Sequence, residues 1–150
     1  MNEATILFSI RPWNPVSWLI RWALPVSRFK WARASHSMIL DGDHVIHATM
    51  LHGVVRQPLA HVLRSQKVVA RREYDVPDLD AGLVWARSKV GTPYDSKGAL
   101  GISLKPDRQW QEDDKYFCHE LCAAFIHACG RKLFDRFGHV TDTALLLIKE

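Results

Sequence analysis

The chain has 150 residues, 47% of them hydrophobic, enough for one ordinary core and too few for two, so a single domain over residues 1–150 is expected. Lysine and arginine exceed aspartate and glutamate by four, giving a pI near 9.1. The basic residues are scattered apart from Arg71-Arg72 and the Arg21 to Arg33 region, and no recognition motif accompanies them, which argues for solvated surface and against a nucleic-acid partner. Three cysteines within 11 residues of one another exclude a disulfide framework, and no apolar run reaches the roughly 18 to 20 residues of a membrane span.

The start, MNEATILFSIRPWNPV, lacks a basic n-region, a clean apolar h-region and a small-residue cleavage site, so no secretory signal is expected and the compartment read from it is cytoplasmic. Within it, Ala4 to Ile10 is short, apolar and β-prone, and Pro12 and Pro15 close it; this predicts a buried strand. VSWLIRWAL then places Val16, Leu19, Ile20, Ala23 and Leu24 at helical spacing before Pro25 stops it. Trp18 and Trp22 flank that stripe, and the Trp-rich, basic stretch from Trp13 to Trp31 suits weak contact with a membrane interface as well as ordinary packing.

From Ser35 to His47 the sequence SHSMILDGDHVIH predicts a hairpin, with β-prone runs His36 to Leu40 and His44 to Ala48 around Asp41-Gly42-Asp43. GVVRQP and KVVARREYDV read as further strands, with one helical turn in PLAHVLRS between them. In the next helix, Asp78 or Asp80 caps the N-terminus, Leu79, Leu83, Ala86 and Val90 share a face, and Gly91 is a natural terminating residue. GTPYDSKGALGISL leads as a loop into a short apolar segment, and polar KPDRQWQEDDK precedes the last helix.

That helix is YFCHELCAAFIHACG, in which Cys118, Leu121, Cys122, Phe125, Ile126 and Cys129 form one apolar stripe ended by Gly130. Cys122 and Cys129 lie among apolar neighbours and are assigned to the core, where a free cysteine packs as a small hydrophobe. Cys118 stands at the first turn, where backbone N–H groups and the helix dipole favour a thiolate. His36 begins one β-prone run and His47 ends its hairpin partner, so the two can occupy neighbouring strands as a base and the group that orients it. Zinc competes for such residues, but the sequence has no CxxC, no HExxH and no HxE partnered with CxxC, and His119 and His127 are more than two helical turns apart. Neither a metal nor a cofactor is expected.

His36 opening a strand, the Asp-Gly hairpin, His47 on the returning strand, GTPYDSKGALGI and YFCHELCAAFI together resemble the circularly permuted branch of the NlpC-type papain-like superfamily, which holds the YiiX-like proteins and the lecithin:retinol acyltransferase group. The similarity runs from Ile6 to about Asp142. It implies an α+β fold with a small antiparallel, partly barrel-like sheet against helices, and acyl transfer through a thioester. Cys118 would be the nucleophile, His36 the general base and His47 the orienting residue. The family's Cys-Ser-Glu stands here as Cys118-His119-Glu120, a departure that keeps the nucleophile.

The resemblance implies a peptide, cell-wall or lipid amide or ester as substrate. Amide hydrolysis, with a peptidoglycan stem peptide as the commonest substrate of the wider superfamily, stands ahead of lipid acyl transfer, and a phage-associated setting is a second possible location. A non-catalytic adaptor with a vestigial triad is the reading from another class; retention of Cys118, His36 and His47 together speaks against it.

Overall fold

The computed structural model describes residues 2–13, 15, 34–95, 116–135 and 144–145. The opening apolar run becomes β1 (Asn2–Ile10), a strand paired on both edges and buried on both faces. Ala4, Ile6 and Phe8 enter the main core, while Leu7, on the alternate face, enters a second, smaller one. A continuous rather than alternating apolar pattern is what two-sided burial requires.

The hairpin forms as β2 (His36–Asp41) and β3 (His44–Thr49), with Asp41 opposite His44 and only Gly42 and Asp43 in the loop. Of the two loop residues only the first, Gly42 (+63°), has positive φ, which is the II′ pattern. Next come β4 (Gly53–Pro58), the single turn α1 (Leu59–Val62) and β5 (Lys67–Val76). All pairings are antiparallel, in the order β4-β3-β2-β1-β5. The fold is therefore α+β with a five-stranded antiparallel sheet. The sheet is open, ending on β4 and β5, so the expected barrel-like character is corrected: these edges do not pair with each other.

Two longer helices cover one face. In α2 (Leu79–Ser88) the Asp78 side chain accepts a hydrogen bond from the Ala81 N–H at 2.9 Å and so caps the helix. Ala86 is buried and Leu79 and Leu83 pack on the core, but Val90 lies beyond the helix end and is exposed, which removes it from the predicted face. In α3 (Cys118–Ala128) the whole predicted cysteine stripe is buried, and Gly130, at φ +89°, follows the helix end. Burial goes further than the stripe predicts: His119, Glu120, Ala123 and Ala124 are also covered, because α3 lies against β2 and β3 on one side and α2 on another. On the opposite face of the sheet, α1 places Val62 against Leu7, Met38 and Val45.

Asp41 joins two strands of the sheet to each other and to α2 through two arginines, Arg56 of β4 and Arg87 of α2. Asp41, almost fully buried at the end of β2, accepts from Arg56 Nε at 2.7 Å and from Arg87 Nη2 and Nε, the latter at 3.1 Å. Hydrogen bonding to Arg87 outweighs burial and, with Arg56, lowers Asp41 to about 2. The predicted helix over residues 16–24, with Trp18 and Trp22, and also Trp31, the loop after Asp95 and KPDRQWQEDDK, lie outside the described residues. Among the described residues, no helix is long and apolar enough to cross a membrane.

Candidate active site

Three structural devices meet where β2 begins. The first is the hairpin itself: antiparallel return of the chain brings His36 and His47, 11 residues apart in sequence, to an Nε2–Nδ1 distance of 2.8 Å, with their rings edge to face. The second is a tight junction between β4 and the exit of α2. The Val54 N–H donates to the Thr92 carbonyl at 2.9 Å, and the Gly91 N–H to the Val54 carbonyl at 2.8 Å. Gly53 is required there, since a Cβ at its position would stand 2.1 Å from the Thr92 oxygen and its φ is +66°.

That junction carries Tyr94 to the third device, a parallel bridge with Tyr116. The Asp95 N–H donates to the Tyr116 carbonyl at 3.1 Å and the Tyr116 N–H to the Pro93 carbonyl at 3.3 Å. Two residues later α3 starts, so the bridge sets where Cys118 sits. Cys118, His36 and Tyr94 all line one cleft of about 480 Å3, whose rim includes the exposed Met50 and Leu51 of the β3–β4 turn.

The electrostatics separate the groups. Burial works against ionisation of Cys118, but the charge and hydrogen bond of His119, and then the hydrogen bond and charge of His36, outweigh it and hold the thiol well below its ordinary value. Burial acts alone on the other thiols or nearly so: it drives Cys122 strongly upward against a hydrogen bond with Ser37, and raises Cys129 to about 11. His47, 1% exposed, is pushed down to about 4 by burial and by the neighbouring His36, with the hydrogen bond to Gln57 opposing. It is neutral at pH 7. Burial, then the neighbouring Cys118 and Asp95, raise Tyr94, so it remains a hydroxyl.

The three residues singled out from sequence are thus brought together: Cys118 and His36 line one cleft, and His36 contacts His47. Two partners of this group were not foreseen. Gln57, on β4, places Oε1 3.1 Å from His47 Nε2, on the side of the ring away from His36. His119, beside the thiol, holds its Nδ1 2.9 Å from Ser37 Oγ, and the same hydroxyl accepts from the Cys122 thiol at 3.4 Å. Nothing in GVVRQP marks its glutamine as different from any polar residue of an edge strand. The signal for Ser37 was present, since alternation along β2 puts it on the same face as the buried Ile39, toward α3.

Among the described residues no group of three histidine, cysteine, aspartate or glutamate side chains is arranged to hold a metal ion. No family model, no curated protein and no solved structure matches the chain.

Proposed function

We propose that this chain is a cysteine-dependent hydrolase of the permuted papain-like type, acting on an amide bond through a thioester. The observation that carries the reading is a cysteine at a helix N-terminus, its thiol lowered by His119 and then His36, that shares a cleft with a half-buried His36 in contact with a second, neutral histidine.

In this reading the Cys118 thiolate attacks the carbonyl carbon, forming the C–S bond, and the carbonyl oxygen takes the negative charge. The Cys118 backbone N–H, at the start of α3 where Phe117 supplies no side-chain cap, is a donor suited to that oxygen. His36 holds the thiol proton and delivers it to the leaving amine as the C–N bond breaks. It then takes a proton from water as water attacks the thioester, and returns it to sulfur when the acid departs. A second reading, transfer or hydrolysis of a lipid ester, is favoured by one feature: Met50 and Leu51 are 63% and 89% exposed at the cleft rim, as an apolar acyl chain would need.

The test is the rate of iodoacetamide alkylation at each cysteine against pH, read by peptide mass spectrometry, in the natural chain and in His36→Ala. Fast labelling confined to Cys118, with an apparent pKa below the roughly 8.5 of a free thiol that rises in His36→Ala, is the expected result. Slow, equal labelling of all three cysteines, indifferent to His36, would sink the hydrolase reading and leave an adaptor on this fold.

A further inference from the structure

We infer that Gln57 is a positioning residue that fixes the proton pattern of the two-histidine relay; this rests on the reading of Cys118, His36 and His47 as nucleophile, base and orienting group. A neutral imidazole carries one donor nitrogen and one acceptor nitrogen, and what binds the first decides what the second can offer. His47 is buried and neutral, so it must present one of each. Gln57 Oε1 is an acceptor with no proton to give, and at 3.1 Å it requires the His47 proton on Nε2.

The other His47 nitrogen, Nδ1, is then an acceptor facing His36 Nε2 at 2.8 Å, which requires the hydrogen in that contact to sit on His36. His36 therefore keeps a proton on Nε2, leaving Nδ1 as the nitrogen that exchanges a proton with the thiol. With the opposite His47 tautomer, Nδ1 would donate. His36 Nε2 would have to accept, a neutral His36 would carry its proton on Nδ1, and it could not act as a base toward Cys118. Gln57 lies two bonds of this relay away from His36 and lines the same cleft, yet its role is to choose the tautomer rather than to meet the reacting atoms.

Position in the sheet makes the arrangement possible. His47 is paired with Val55 and Val45 with Gln57, so Gln57 is the diagonal neighbour of His47 on the same face, within reach of a long side chain. A carboxylate in this place would present the same acceptor to Nε2; the amide does so without adding a charge.

The test uses two variants of the whole chain and two measurements. Gln57→Met keeps the volume and removes the acceptor; Gln57→Glu keeps an acceptor. Imidazole 15N spectra at pH 7 read the His47 tautomer directly, whatever the state of Cys118, with His47→Asn to assign the signals. The natural chain should show a single Nε2–H form, and Gln57→Met should show Nδ1–H signal. Cys118 alkylation against pH should fall roughly tenfold in Gln57→Met, with its apparent pKa raised, and should be restored in Gln57→Glu.

An Nδ1–H form of His47 in the natural chain overturns the inference, as does Gln57→Met alkylating like the natural chain or Gln57→Glu failing where Gln57→Met succeeds, the order a space-filling role would give. Loss of the proposed function is distinct: Cys118 would then be unreactive in the natural chain and indifferent to His36→Ala. The tautomer spectra would still decide whether Gln57 sets the His47 proton.

Discussion

The two ends of α3 treat the same side chain in opposite ways. At the N-terminal end Cys118 lines a cleft, and two histidines, His119 and then His36, hold its thiol well below the ordinary value. One and three turns further on, Cys122 and Cys129 are fully buried among apolar groups, and their thiols are pushed up. Burial raises the pKa at all three positions. What differs is whether a cationic or hydrogen-bonding partner is near enough to reverse it, so reactivity along this helix is decided by neighbours and not by depth.

The sharpest way to break that contrast is to exchange the two roles. Cys118→Ala should abolish both the fast alkylation and any hydrolysis of amide or ester substrates while leaving the circular dichroism spectrum unchanged. Cys122→Ala should retain both and cost about 1–2 kcal/mol in a denaturant titration, for a small cavity and the lost contact with Ser37. A folded but inactive Cys122→Ala would overturn the division of labour.

The site end should also carry the pH dependence. His47 titrates at about 4 in the fold against an ordinary 6.5, so between these values the unfolded chain binds the extra proton. Its contribution is complete above pH 6.5 and is lost as pH falls toward 4. The shift corresponds to about 3–4 kcal/mol, since each unit is worth about 1.4 kcal/mol. Unfolding free energy measured from pH 7 to pH 4 should decline accordingly, and His47→Asn should flatten that decline; an unchanged slope in the variant would assign the loss to other groups.

The packing end should respond to volume alone. A Cβ on Gly82 would stand 2.1 Å from Cys129 Sγ, at the C-cap of α3. Gly82→Ala should destabilise by about 1–3 kcal/mol, part of which Cys129→Ala recovers by removing the sulfur, and neither change should alter Cys118 alkylation. A shift in the Cys118 profile would show that the two ends are coupled.

Much of this was legible because local periodicity reports burial. The alternation and turn residues of SHSMILDGDHVIH specified the hairpin that joins His36 to His47, and the spacing along YFCHELCAAFIHACG separated a first-turn cysteine from two interior ones. Val90 was misplaced because helical periodicity continues past the point where Lys89 caps the helix. Closure of the sheet was not legible: whether β4 and β5 meet depends on twist accumulated over five strands, which no single strand encodes.

The sequence by itself determined which residue types stand at the start of α3 and on the two hairpin strands, since turn chemistry and periodicity act within about ten residues. Only the tertiary structure decided their company. Gln57 reaches His47 through the register of β3 against β4, Ser37 reaches His119 across 82 residues, and the Tyr94–Tyr116 bridge sets the start of α3 against the cleft. Such contacts arise from the packing of distant elements around a shared core, so no local pattern in the chain announces them.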